Sequence, residues 1–192
     1  MLWMLIAVPL LLLTVTYSLV TVQTVTASDI DLQQAVELAA KAAAMQVTEE
    51  SQAEGSPVIN NTSAHTIFRD IMAENIDLNL DMTPMPGSMA GSVLDYVLVV
   101  YNGNNTFAPQ APAGYHYSLI NGSFNEQSIA GSEFPATFSV DKGSIVPGAG
   151  GRIEVTLDAP GVIAVANFST KEIIGNTSVE PVRWAAAKVV CQ

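Results

Sequence analysis

The sequence predicts an α+β protein: a long N-terminal α-helix followed by a globular domain built on a mostly antiparallel β-sheet. Three observations carry that prediction. The first 28 residues contain no Asp, Glu, Lys, Arg or His. They run directly into a stretch rich in Ala, Leu, Gln, Glu and Lys, all good helix formers. From Leu94 onward, short runs of Val, Ile, Tyr and Phe are separated by Asn-Gly, Asp-Lys-Gly and Pro-Gly turn signals. A chain of 192 residues fits one domain of ordinary size plus an appendage. The expected division is an apolar helix with its Ala-rich continuation over residues 1–48 and an acidic, β-rich head over residues 49–192.

The opening stretch, "MLWMLIAVPLLLLTVTYSLVTVQTVTAS", is long enough to cross a bilayer, which takes about 20 apolar residues. Val25-Thr26-Ala27 has the small-residue character of a signal-peptide cleavage site, but no basic residue precedes the apolar run. A plain membrane anchor would also carry flanking Lys or Arg. Both facts are met if Met1 is the terminus left when a short, charged leader is removed. The pattern continues as "DIDLQQAVELAAKAAAMQVTEE". Ser28 and Asp31 have capping-box spacing, which marks a helix start unless the helix runs straight through. Leu32, Val36, Ala39 and Ala43 recur at helical steps and form a stripe flanked by Ala35, Leu38 and Ala42. Glu37 and Lys41 stand at i,i+4 in the favourable order. As one helix, residues 1–47 would span roughly 70 Å at about 1.5 Å per residue, with a kink expected at Pro9. The Ala-rich half suits close packing, on its own domain or on copies of itself.

"GSPVINNTSA" reads as a loop. "SAHTIFRDIMAEN" predicts a short helix capped by Ser63, with Ile67, Phe68, Ile71 and Met72 on its apolar face. "IDLNLDM" alternates strictly and predicts a strand, Ile76, Leu78, Leu80 and Met82 inward and Asp77, Asn79 and Asp81 outward. Its D-x-N-x-D spacing imitates a calcium loop, but Met82 stands where such a loop needs glycine and Ser88 where it needs glutamate. After the loop "TPMPGSMAGS", strands are expected in "LDYVLVVY", "YHYSLI", "ATFSV", "RIEVTL", "GVIAVANF" and "VEPVRWAAAKVV", for five to seven in all.

Composition excludes several function classes. The net charge is −11, and the seven Lys and Arg are scattered singly, so no basic stripe exists to bind nucleic acid. The one cysteine, Cys191, rules out an internal disulfide and a Cys-based metal cage or haem attachment. Two histidines, His65 and His116, occur without G-x-S-x-G or H-E-x-x-H, and "GAGGR" lacks the Gly-Lys-Ser/Thr of a phosphate loop. No enzyme activity and no cofactor are expected. One pattern exceeds background: Asn-x-Ser/Thr occurs six times, at Asn60, Asn61, Asn104, Asn121, Asn167 and Asn176. Eleven Asn in this composition would give about two by chance under the definition of the motif. These six are candidate sites for glycan attachment.

The uncharged apolar helix with an early proline ("AVPLLLL"), followed by "LQQAVELAAKAAA", resembles the TadE-like pseudopilins and pilins of tight-adherence systems, within the type IV pilin superfamily. The resemblance covers residues 1–47, with weaker support from the final β-rich segment. It departs at Leu5, where many type IV pilins carry a glutamate: either the packing is purely apolar, or the protein is not a major pilin. The resemblance implies a subunit held in the cytoplasmic membrane, then assembled into an extracellular, pilus-like filament whose core is a bundle of these helices. The partner is the protein itself, as a helical homopolymer. The residues expected to pack in that core are Leu2, Trp3, Leu5, Ile6, Leu10, Leu11, Leu12 and Leu13, with Leu32, Val36, Ala39 and Ala43 lower down. The alternative is a minor pseudopilin or a single-span surface protein with an adhesive β-rich domain that does not polymerise.

Overall fold

The computed structural model describes residues 2–104, 112–170 and 180–189, and within the first helix the side chains of residues 6–20 and 29–44. The fold is α+β with a five-stranded antiparallel sheet. In chain order the elements are helices α1 (Leu2–Ala44), α2 (Glu49–Ala53) and α3 (Asn61–Ile76), then strands β1 (Asp95–Tyr101), β2 (Gly114–Ile120) and β3 (Ser123–Ile129), then β4 (Ala136–Asp141) with a 3-10 turn (Lys142–Ser144), β5 (Arg152–Leu157), β6 (Gly161–Asn167) and β7 (Val182–Lys188). The large sheet has the order β3-β2-β1-β6-β7, and β4 and β5 form a separate two-stranded ribbon.

Three layers result. Helices α1 and α3 cover one face of the sheet, and the β4–β5 ribbon packs with the other through Val97, Val99, Tyr101, Ile163 and Val165. The central strands β1 and β6 are therefore buried on both faces, which explains why "YVLVVY" and "VIAVA" do not alternate with polar residues. The ribbon has one face in water and does alternate, with Ala136 and Val140 on β4 and Ile153 and Leu157 on β5 turned inward.

The helical face of the sheet sorts its side chains by size. Ala164 and Ala166 on β6 and Ala185 and Ala187 on β7 meet the alanines of α1, at Ala35, Ala39, Ala40, Ala43 and Ala44. Beneath α3, by contrast, lie Tyr96, Leu98, Val100, Tyr117 and Leu119, which pack with Phe68 and Met72. Alanine against alanine lets a helix axis lie close to a sheet, since interaxial distance follows the side chains at the contact. Asn102 fastens the far end of this layer. Its Oδ1 accepts from the Ile59 N–H at 2.8 Å and its Nδ2 donates to the Ile59 carbonyl at 2.9 Å. A buried side-chain amide thereby continues β1 into the segment before α3.

Four local expectations are corrected. Asn60, not Ser63, caps α3: its side chain accepts from the Ser63 N–H at 3.0 Å, and the helix starts earlier than its hydrophobic pattern suggests. Residues 76–82 are not a strand. Ile76 ends α3, Asp77 takes the left-handed conformation as its C-cap, and a tight turn follows, with the Met82 N–H donating to the Asn79 carbonyl at 2.8 Å. Asp81 accepts from the Thr83 N–H at 3.0 Å, so local side-chain bonds take the place of a strand ladder here. Leu80, expected inside, is 64% exposed. Finally, Glu37 does not pair with Lys41; it accepts from Gln33 Nε2 at 2.7 Å.

The size match between α1 and the sheet sets a clear expectation. Ala39→Leu adds volume where no space exists and should cost about 1–3 kcal/mol. Leu38→Ala, on the exposed side of the same turn, should change stability by less than about 0.5 kcal/mol. Urea denaturation of the two variants measures the contrast, and equal effects would contradict the packing described.

Candidate functional site

The two halves of α1 have opposite surroundings. Leu32, Val36, Ala39 and Ala43 are at most 1% exposed, all inside the chain's own core. They pack within the chain itself. Leu10, Leu11, Leu12 and Leu13 are instead 59–68% exposed, and Ile6, Val8, Val15, Leu19 and Val20 are exposed with them. The side chains of Leu2, Trp3 and Leu5 lie outside the described residues.

The hydroxyl groups of this first half do little to wet it. Thr14 Oγ1 donates back to the Leu10 and Leu11 carbonyls at 3.1 and 2.9 Å, and Ser18 Oγ donates to the Thr14 carbonyl at 3.0 Å. Thr16 Oγ1 bonds the Leu12 carbonyl in the same way. Each of these three hydroxyls is satisfied by its own helix, so at these positions the side chains turn their methyl and methylene groups outward. Among the described residues, no helix is long and apolar enough to cross a membrane.

The boundary between the halves is marked by charge. Asp29, the first ionisable side chain after the apolar run, pairs with Arg183 at the start of β7. One turn further on, Gln33 Nε2 donates to the Trp184 carbonyl at 3.4 Å on the open edge of the sheet. Between this face of α1 and β7 runs an open groove of about 600 Å³, with Gln33, Glu37 and Lys41 on one wall and Trp184 on the other.

The two histidines do not form a reactive constellation with each other. His65 on α3 stacks on Tyr117, with ring centroids 4.2 Å apart and planes within 3°, and its Nε2 lies 2.8 Å from the Tyr96 hydroxyl. Burial, with a smaller contribution from the Arg69 guanidinium, lowers its pKa to about 4. Burial also pushes the Tyr96 and Tyr117 phenols up to about 12. This is a neutral, packed aromatic cluster, completed by Phe124. His116 sits in β2, its pKa lowered by burial and its Nδ1 buried without a partner among the described residues. Among the described residues, no group of three or more His, Cys, Asp or Glu could hold a metal ion.

The six Asn-x-Ser/Thr sites separate by exposure. Asn60, Asn104 and Asn121 are exposed and Asn61 is half-buried. Asn167, at the end of β6, is only 5% exposed and closed to a bulky modification in the folded domain. Asn176 and Cys191 lie outside the described residues. No family model, no curated protein and no solved structure matches the chain.

The environment of His65 has a measurable consequence. Its folded pKa of about 4 lies below the ordinary 6.5, so between those values the unfolded chain binds a proton that the folded chain does not. Stability contributed by the neutral ring is full above pH 6.5 and is lost as pH falls toward 4. NMR titration of the His65 ring should give a midpoint near 4, with urea midpoints falling across the same window. A ring that titrates near 6.5 would contradict the packed geometry.

Proposed function

We propose that this protein is the structural subunit of a pilus-like extracellular filament, assembled through the first half of α1. In this reading α1 is one continuous rod of 43 residues. Its Ala-rich half is embedded in the head, and its apolar half is covered first by lipid and then by the same segment of neighbouring copies. The observation that carries the reading is the contrast along one helix: residues 32–44 bury a full stripe in the domain, while residues 6–20 expose apolar side chains on every side. The TadE-like resemblance of the sequence supports the same conclusion.

Assembly would then be driven by close packing of apolar side chains and by the loss of their contact with lipid or water. Contacts between different faces of successive subunits do not close, and they generate a helix rather than a ring. The packing residues are Ile6, Leu10, Leu11, Leu12 and Leu13, together with Leu2, Trp3 and Leu5. The buried set lower down, Leu32, Val36, Ala39 and Ala43, transmits that packing to the head by holding the rod rigid.

Leu12→Asp tests the proposal. Sheared cell-surface material from cells with the native chain should show abundant thin fibres in negative stain. The variant should show none, while its head keeps the circular dichroism and thermal transition of the native domain. Normal fibres from Leu12→Asp would overturn the reading. Absence of fibres from the native chain would favour the anchored, non-polymerising alternative.

A further inference from the structure

We infer that Asn60 and Asn121 are acceptor sites for N-linked glycans, at opposite ends of the head, and that Asn167 is not. The inference is independent of filament assembly. It starts from the excess of six Asn-x-Ser/Thr sites over the roughly two expected by chance, and the fold then discriminates among them.

Asn121 is the first residue of the two-residue turn joining β2 to β3. Asn121 has φ 50° and Gly122 φ 74°, the pairing of left-handed residues that a type I′ hairpin requires. The turn stands in open space: a Cβ placed on Gly122 would meet no atom within 4 Å. The Asn121 backbone N–H donates to Asp95 Oδ1 at 2.8 Å, so the backbone is held while the side chain faces solvent. Ser123, the third residue of the motif, is also exposed.

Asn60 lies at the other end, where α1 has finished and α3 begins; its N–H donates to the Gln46 carbonyl at 2.7 Å. Its side chain already works as a helix cap, but only through Oδ1, which accepts from the Ser63 N–H. Glycan attachment uses the other atom. Nδ2 attacks the anomeric carbon of a lipid- or nucleotide-linked glycosyl diphosphate. The C1–N bond forms, the C1–O bond breaks, the diphosphate leaves with its electron pair, and Nδ2 loses one proton. The amide oxygen keeps its lone pairs, so capping and glycosylation coexist at Asn60. Asn61 is less suited, being half-buried with its Oδ1 3.4 Å from Asn102 Nδ2. Asn167 presents no surface for a sugar to occupy.

Peptide mapping by mass spectrometry of the full chain, purified from its own cells, tests the assignment. The peptides with Asn60 and Asn121 should each carry a hexose- or hexosamine-containing mass addition, and the intact mass should exceed the 20.2 kDa of the bare chain. Thr62→Ala, which breaks the Asn60 motif without touching the cap, should remove one addition and leave the thermal transition unchanged. Ser123→Ala should remove the other. Unmodified peptides at both sites, or a glycan on Asn167, would overturn the inference.

Discussion

The contact on which the rest of this structure depends is alanine on alanine, between α1 and strands β6 and β7. A helix that buries Ala35, Ala39, Ala40, Ala43 and Ala44 against Ala164, Ala166, Ala185 and Ala187 must lie close to the sheet. Close approach fixes its direction as well as its distance. Residues 29–44 pack on β7 and β6, with Asp29 paired to Arg183 at the start of β7. The first half of α1 precedes Asp29, which pairs beside the start of β7.

Space saved on the α1 side is taken up on the α3 side. Phe68, Met72, Tyr96, Tyr117 and Leu119 fill the volume that alanines cannot, and His65 is carried into the same cluster. The imidazole is tolerated there because it is neutral, with Tyr96 as its hydrogen-bond partner and the Tyr117 ring against its face. The opposite face of the sheet obeys a simpler rule. Val97, Val99, Ile163 and Val165 are covered by a ribbon with one dry and one wet side, so the amphipathic strands β4 and β5 suffice.

Six of the seven strands were legible because each buries at least one face and is bounded by turn residues. The exception is β3, "SFNEQSI", an edge strand exposed along nearly its whole length. Its ladder to β2 is made by the backbone and leaves no hydrophobic period; the only clue was the Asn121-Gly122 turn ahead of it. The segment "IDLNLDM" failed in the opposite sense, with period-two alternation but a helix C-cap and a tight turn in place of a strand. Leu78 and Met82 enter the core on the helical side of the sheet from a helix cap and a turn rather than from a strand. The stripe Leu32, Val36, Ala39 and Ala43 was legible as a packing face. Its partner was not, because Ala164 and Ala185 become that partner only when distant strands pair.

The difference in chemistry between the halves of α1 also limits what can cover the exposed half. A helix with one apolar face is answered by one groove, as residues 32–44 are answered by β6, β7 and α3. Residues 6–20 have no such face. Apolar side chains are exposed on every side of the helix, and the intervening Thr14, Thr16 and Ser18 spend their hydroxyls on their own backbone. A single groove on a single partner would leave most of that surface uncovered. An environment that closes around the whole circumference would not, and in the filament reading proposed above that environment is hydrocarbon first and a ring of equally apolar helices afterwards. In that reading, passage from the first to the second demands no exposure of the helix to water, provided the incoming copies replace lipid one face at a time. The absence of charged side chains between Met1 and Asp29 spares that exchange the cost of desolvating a charge.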